Sequence, residues 1–163
     1  MIVWLTGLPC SGKTTIARAV VKKLGSEFLD GDVLRNSEFS KGIGFSKEDR
    51  HRHLMRVGYL AERLNVYNDV ICSFVSPYED TRSKLQIDLL VYINCPVGVC
   101  IERDVKGMYA KALAGEIKGF TGIDAPFEEP VNSDLILYTN VLDLDQCVDI
   151  LISKIMSKKH NLG

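Results

Sequence analysis

The chain has 163 residues, of which 46% are hydrophobic, so it holds enough apolar material for one compact core. Its formal net charge of -1 gives no overall attraction to nucleic acids or anionic membranes, and we predict neither as a partner. No apolar run reaches the roughly 18 residues that span a bilayer. Met1 leads straight into an apolar segment without a charged leader, so we expect a cytoplasmic protein with reduced cysteines.

The most informative motif stands between the first two predicted elements. Residues 2–5 form a β-branched apolar run typical of a buried strand, and residues 15–24 have helical spacing. The turn between them is Gly7-Leu8-Pro9-Cys10-Ser11-Gly12-Lys13-Thr14, which has the spacing of a phosphate-binding P-loop. Lys13 would reach the β- and γ-phosphates of ATP, and the Thr14 hydroxyl would ligate Mg²⁺. The ATP-binding candidates are Gly7, Cys10, Ser11, Gly12, Lys13, Thr14 and Thr15.

Cysteine and histidine often form functional sites, but Cys10, His51 and His53 also have simpler interpretations. Cys10 lies beside a helix N-terminus and could be redox-sensitive, or it could simply be a small residue that fills the loop. His51 and His53 are two positions apart on a predicted helix and therefore face different directions, which argues against a shared metal site.

A pair of carboxylates follows the second predicted strand, residues 26–29. Asp30 and Asp32 flank Gly31 at the edge of the sheet where open α/β proteins bind ligands. An acidic turn is the alternative, but the neighbouring P-loop favours a functional pair.

The next stretch, residues 33–45, is irregular and predicts a loop that presents Phe45 either to a ligand or to the local core. Ser46 is the expected N-cap of a long helix whose buried stripe includes Leu54, Val57 and Ala61. Arg50 and His53 are three residues apart on that helix and share a face, where the Arg50 guanidinium would suit a phosphate or sulfate.

Further strands are expected at 69–75, 87–94 and 135–138, with a short helix that ends near 102–104 and a final amphipathic helix. This alternation predicts an α/β protein with the P-loop NTPase fold: a mostly parallel five-stranded sheet flanked by helices, all within one domain spanning 1–163. Residues 105–129, here called the lid segment, combine glycines with lysines. They predict a mobile lid over the phosphates, with a long solvated connection as the alternative.

The chain resembles the adenylylsulfate (APS) kinases over most of its length. The resemblance is carried by the P-loop, by Leu29-Asp30-Gly31-Asp32 with Arg35, by Gly44-Phe45-Ser46 with Asp49-Arg50, by Ser76-Pro77-Tyr78, and most specifically by residues 102–124. The resemblance implies a kinase of sulfate assimilation that moves the γ-phosphate of ATP to the ribose 3′-hydroxyl of adenosine 5′-phosphosulfate (APS), with Mg²⁺ as cofactor.

The resemblance also implies roles for individual residues. Asp32 would act at the acceptor hydroxyl, Asp30 would lie in the second shell of the Mg²⁺, and Arg103 would contact ATP. Ser76 matches a serine proposed to carry a phosphate in this family, although we favour direct transfer, in which Lys13 assists. Phe45 and Phe127 would sandwich the acceptor base. The acceptor-binding candidates are Asp32, Arg35, Phe45, Arg50, His53, Val75, Ser76, Lys106, Lys118, Gly119, Phe120, Thr121 and Phe127.

Two positions depart from the family pattern. His53 replaces the usual Asn, and Glu79 replaces an Arg. They leave open a related kinase of another nucleoside 5′-anhydride, such as cytidine diphosphoramidate in capsule synthesis. A more distant alternative is a GTPase-type switch, because Asp104-Val105-Lys106-Gly107 fits D-x-x-G. Its predicted context, after a helix, is wrong for that motif. A homodimer is also among the expected states.

Overall fold

The computed structural model describes residues 1–161 and has at its centre a sheet of five strands. The strands run in the order β2-β3-β1-β4-β5, and every neighbouring pair is parallel, which confirms the predicted sheet. Their bounds are β1 Ile2–Thr6, β2 Glu27–Asp30, β3 Val70–Ser73, β4 Leu89–Asn94 and β5 Leu135–Tyr138.

Within residues 1–161, seven α-helices flank the strands. They are α1 Lys13–Leu24, α2 Gly31–Arg35, α3 Lys47–Asn65, α4 Glu79–Arg82, α5 Val97–Arg103, α6 Met108–Leu113 and α7 Leu144–His160, and a 3₁₀ turn covers Glu38–Ser40. The predicted N-cap of α3 is confirmed, because the Ser46 hydroxyl accepts a hydrogen bond from the Asp49 amide at 3.0 Å.

The loop predicted for 33–45 is wrong at its start, where α2 forms. The Asp30 carboxylate caps this helix by accepting from the amides of Asp32 and Val33 at 2.9 and 3.2 Å. The lid segment likewise contains the short helix α6. Helices of four to six residues complete fewer than two turns and so leave no readable periodicity in the sequence.

The central strand β1 divides two cores by the alternation of its side chains. Val3 and Leu5 pack with residues of α1 and α7, whereas Ile2 and Trp4 pack with residues of α3. A third, small cluster around Cys95, Cys100 and Tyr109 lies under the lid segment. The carboxyl ends of all five parallel strands therefore meet at one edge, and the loops at this edge form the candidate site.

All five cysteines are free, as the sequence predicted. Among the helices that the structure describes, none combines the length and the apolar composition needed to cross a membrane.

Candidate active site

The P-loop turns tightly at the carboxyl end of β1. A Cβ atom at Gly7 would lie 2.4 Å from the Ile93 carbonyl oxygen, so a side chain at this position would displace β4. Gly12, at the start of α1, has a φ of 105°, and Cys10 adopts a left-handed φ of 61°. A loop fixed in this way at the start of a helix leaves the first amides of α1 available to bind an anion.

Lys13 lies inside this loop. Its Nζ donates hydrogen bonds to the carbonyls of Gly7 and Leu8 at 3.0 and 2.7 Å. Burial lowers the pKa of Lys13 to about 8, and the nearby charges of Asp32 and Asp30 oppose this shift. An anionic phosphate at the same place would favour the protonated amine, so the buried lysine is suited to bind one.

Arg103 and Thr139 contact the P-loop from outside, and sequence reasoning missed Thr139. Arg103 Nη1 donates to the carbonyls of Cys10 and Ser11 at 3.3 and 3.4 Å, and Nη2 donates to the Thr139 carbonyl at 2.6 Å. The Thr139 hydroxyl donates to the Ser11 carbonyl at 2.6 Å. The available signal was its position directly after β5, at the edge where all the strands end. Thr15 is exposed on the first turn of α1.

Hydroxyl and carboxylate oxygens gather beside the P-loop. Thr14 Oγ1 lies 3.4 Å from the hydroxyl of Ser73, and Ser73 is paired in register with Asp30 across β2 and β3. Asp30 is buried, and its Oδ2 has no hydrogen-bond partner among the described residues. Sequence reasoning missed Ser73, which the sheet register alone brings to this place. Oxygen atoms of this kind, with a free buried carboxylate oxygen, fit a hydrated Mg²⁺.

Asp32 lies on the first turn of α2, and its carboxylate is two-thirds exposed. It forms an ion pair with Lys106 of the lid segment. The charge of Asp32 also opposes the lowering of the Lys13 pKa by burial, so Asp32 is near the P-loop lysine as well as the lid segment.

Arg35, Phe45 and Arg50 contact one another and form a wall of the site. Arg35 Nη1 donates to the Gly44 carbonyl at 2.9 Å, and its guanidinium carbon lies 4.5 Å from the centre of the Phe45 ring. Arg50 Nε donates to the Phe45 carbonyl at 2.8 Å, while Phe45 as a whole is 64% exposed. Partial burial and then the charge of Arg50 lower the pKa of Arg35. Arg50 also lies over the Phe45 ring, at 5.8 Å, and two neighbouring guanidinium groups favour an anion between them.

The lid segment closes against this wall. Arg50 donates to the Thr121 hydroxyl at 2.7 Å and to the Gly119 carbonyl. The Asp124 carboxylate accepts from the amides of Gly119 and Phe120, and these bonds lower the pKa of Asp124. The segment thus has a defined structure, and its predicted mobility stays a prediction.

Individual side chains of the lid segment differ in exposure. The Phe120 ring meets Tyr109 edge-on at 4.9 Å and belongs to the third cluster. Lys118 is exposed. Phe127 stacks on Tyr92 with ring centres 5.9 Å apart, beside a cavity of about 380 Å³ that also touches Leu8. Phe127 therefore has one covered face.

Ser76 lies in the turn after β3. It is 2% exposed and has a left-handed φ of 46°, and its hydroxyl accepts a hydrogen bond from Trp4 Nε1 at 2.8 Å. This geometry favours a structural role for the Ser76 side chain. The half-buried Val75 offers its carbonyl to the Thr6 hydroxyl at 2.7 Å.

His53 is not brought to the open part of the site. It is 2% exposed and lies edge-on to the rings of Phe39 and Phe74. Burial, and then the charges of Arg35 and Arg56, lower its pKa to about 4, so the ring is neutral near pH 7. Although Arg50 and His53 are three residues apart, only Arg50 reaches the lid segment. His51 instead contacts the Thr81 hydroxyl at 3.0 Å, so His51 and His53 face different parts of the protein, as their spacing predicts.

The D-x-x-G match lies in a helical context, as the sequence predicted. Asp104 follows α5, and its carboxylate accepts from the amides of Tyr109 and Ala110 at the start of α6. It therefore serves as a helix cap, which argues against a nucleotide switch at this place.

Comparison with known proteins agrees with the architecture of the site. A family model described as adenylylsulphate kinase matches residues 1–138. A probable adenylyl-sulfate kinase of Synechocystis sp. (strain PCC 6803) is 45% identical, covering 99% of this chain and 96% of the relative. The adenylyl-sulfate kinase of Chloroflexus aurantiacus is 44% identical, covering 94% and 87%.

A solved structure of the Mycobacterium tuberculosis APS kinase in complex with AMPPNP and APS superposes with a TM-score of 0.89. The two sequences are 35% identical, and the match covers 95% of this chain and 96% of that one.

Proposed function

The chain belongs to the adenylylsulfate kinase family, and from this premise we propose that it transfers the γ-phosphate of ATP to the ribose 3′-hydroxyl of APS. The relative in complex with AMPPNP and APS binds both an ATP analogue and the acceptor, which supports this pair of substrates. The product would be 3′-phosphoadenylyl sulfate.

The single observation that carries the proposal within the site is the place of Asp32. This exposed carboxylate is near enough to the P-loop lysine to act on its charge, it pairs with Lys106 of the lid segment, and it shares helix α2 with Arg35. A carboxylate here can accept the proton of a hydroxyl that attacks the γ-phosphate. We therefore assign Asp32 as the general base or orienter of the acceptor hydroxyl.

The donor side would hold ATP through the P-loop amides and Lys13, with Arg103 and Thr139 keeping the loop in shape. Thr14 and Asp30, with Ser73, are the residues that would hold Mg²⁺ and its water shell. When bound, Mg²⁺ supplies charge neutralisation at the phosphates. The protein's own contribution is to align the two substrates and to keep the Lys13 charge next to the transferred group.

The acceptor side would bind APS by its charge and by its base. Arg35 and Arg50 would take the phosphosulfate end, and Phe45 would stack on the base, with Phe127 on the other side. The lid residues Lys106 and 118–121 would cover both substrates and exclude water. Since Asp32 pairs with Lys106, binding of the acceptor hydroxyl would compete with this ion pair.

Direct in-line transfer needs no covalent intermediate. The Ser76 hydroxyl is buried and already engaged by Trp4, so the proposal leaves Ser76 out of the chemistry.

The proposal is tested by incubating the purified protein with Mg-ATP and an acceptor panel, and by following the products with phosphorus NMR. We expect ADP and a new 3′-phosphate resonance with APS. Absence of turnover with intact APS would contradict the proposal. Cytidine diphosphoramidate is the alternative acceptor in the panel. The departure that raised it, His53, is buried behind Phe39 and Phe74, so we retain APS as the proposed acceptor. The homodimer stays a prediction that light scattering checks.

A further inference from the structure

Arg82 is a buried charge that the roles above do not use. It ends the short helix α4, and its side chain is only 1% exposed. Arginine side chains are almost never buried this completely unless several groups are arranged to receive the guanidinium. The groups that receive it are informative, because they come from two separate parts of the proposed acceptor site.

On one side, Arg82 stabilises the turn after β3. Its Nη1 donates to the Ser76 carbonyl at 2.6 Å, directly at the residue with the left-handed φ. The Glu79 carboxylate accepts from Nε at 3.2 Å and also from Nη2, which balances the buried charge. Glu79 is one of the two departures from the family pattern, and this ion pair gives it a defined partner.

On the other side, Arg82 contacts the end of the lid segment. Its Nη2 donates to the Glu128 carbonyl at 2.6 Å, and its guanidinium carbon lies 5.9 Å from the centre of the Phe127 ring. The Glu128 amide donates to the Pro77 carbonyl at 2.8 Å, and the Glu79 amide donates to Glu128 Oε2 at 2.8 Å. Three hydrogen bonds thus join Glu128, at the end of the lid segment, to the turn after β3 and to α4. The planar guanidinium of Arg82 contacts both segments at once.

We propose that Arg82 is a positioning residue of the acceptor site: it fixes the end of the lid segment to the turn after β3 and so orients the Phe127 ring toward the acceptor base. The inference rests on the proposed function, because it assumes that Phe127 contacts the acceptor. Tyr92 stacks on Phe127, the Arg82 guanidinium lies over the same ring, and Arg82 also restrains the backbone that carries it, so the orientation of this ring depends on Arg82.

The first test is kinetic and compares Arg82→Gln with Arg82→Lys. For Arg82→Gln we expect the KM for APS to rise about tenfold, while kcat and the KM for ATP stay within about twofold. Lysine carries the charge but can satisfy only one side of the fork, so Arg82→Lys should restore part of the loss. Arg18→Gln, at an exposed arginine on α1, is the matched control and should change nothing.

A double-mutant cycle separates positioning from general stabilisation. If Arg82 acts through Phe127, then Arg82→Gln should add little to the KM defect of Phe127→Ala. A lower melting temperature with an unchanged KM for APS, or fully additive defects in the double variant, would overturn the proposal.

A second readout needs no acceptor at all. In hydrogen exchange, Arg82→Gln should deprotect the Glu128 amide and its neighbours selectively, because their bonds to the turn after β3 loosen. The fluorescence of Trp4, the chain's one tryptophan, should report the same turn through its bond to Ser76. If wild-type protein fails to turn over APS, the proposed function falls, whereas unchanged exchange at Glu128 would overturn the role of Arg82 independently.

Discussion

The donor and acceptor halves of the site are built in different ways. The donor half is almost entirely one contiguous strand, turn and helix, and its key groups Ser11 and Lys13 are buried. The acceptor half is assembled from α2, the turn before α3 with the first turn of that helix, the turn after β3 and the lid segment, which are joined by contacts such as Arg50 with Thr121. The difference teaches that a P-loop is a local structure, whereas acceptor recognition depends on bonds between residues far apart in the chain.

The two halves also differ in exposure. The Phe45 ring and the pair of Asp32 and Lys106 are open to solvent, whereas Lys13 is enclosed by the carbonyls of its own loop. If the two halves act independently, substitutions in the acceptor half should leave ATP binding unchanged, and substitutions in the donor half should leave APS binding unchanged.

The largest effect is expected for Asp32→Asn. An amide cannot take the proton of the acceptor hydroxyl, so kcat should fall by about 10²- to 10⁴-fold, the usual contribution of a general base. The KM for ATP should change little, because Asp32 makes no bond to the P-loop. Steady-state kinetics with both substrates varied measures this.

The control for this variant is Asp145→Asn, at an exposed aspartate on the first turn of α7. It removes a carboxylate from the same kind of helical position and should leave kcat unchanged. Near-normal turnover of Asp32→Asn would remove Asp32 from the chemistry.

Phe45→Ala should act on the acceptor alone. Stacking of a base on an aromatic ring contributes about 1–3 kcal/mol, so the KM for APS should rise while the KM for ATP stays constant. Tyr67→Ala, which removes another highly exposed ring, is the matched control. An unchanged KM for APS would assign Phe45 to local packing, the other role that the sequence left open.

The difference between local structure and contacts across the chain also determines how much of the site could be predicted from the sequence. The strand at 135–138, the cap at Ser46 and the P-loop were all predictable, because each depends on neighbouring residues. The roles of Arg82, Ser73 and Thr139 were not predictable, because their partners lie far away in the sequence. Ser73 meets Asp30 through the sheet register, Arg82 bonds to Glu128, and Thr139 bonds to Ser11, which is 128 residues away.

His53 shows the opposite error. Its spacing from Arg50 predicts a shared face of the helix, yet α3 turns the imidazole into the core against Phe39 and Phe74. Spacing on a helix identifies a shared face, but it does not say which part of that face remains open once other elements pack on it.

On the donor side, the affinity for ATP should depend on pH through Lys13. Burial lowers the pKa of this amine to about 8, so in the free enzyme it is mostly charged below that pH and mostly neutral above it. Because the charged form binds phosphate, affinity should fall as the pH rises, by about sixfold from pH 8 to pH 9 and by nearly tenfold for each pH unit above that. Calorimetry in buffers of different ionisation heat should detect proton uptake on binding at pH 9, and Lys13→Met should abolish that uptake. Binding with no proton uptake at pH 9 would contradict the lowered pKa.

The smallest effect is expected for Thr139→Val. This variant tests a residue of the donor half that lies outside the P-loop sequence but bonds to it. Valine keeps the shape of threonine but removes the hydroxyl that donates to the Ser11 carbonyl. One lost neutral hydrogen bond costs about 1 kcal/mol, so the KM for ATP should rise about fivefold. Thr139→Ser keeps the donor and is the matched control, which should retain most of the affinity. The KM for APS should stay the same in both variants, because Thr139 and Arg103 contact only the P-loop and each other among the groups of the site. A rise in the KM for APS instead would mean that the P-loop transmits its position to the acceptor half, and the two halves would then have to be treated as one unit.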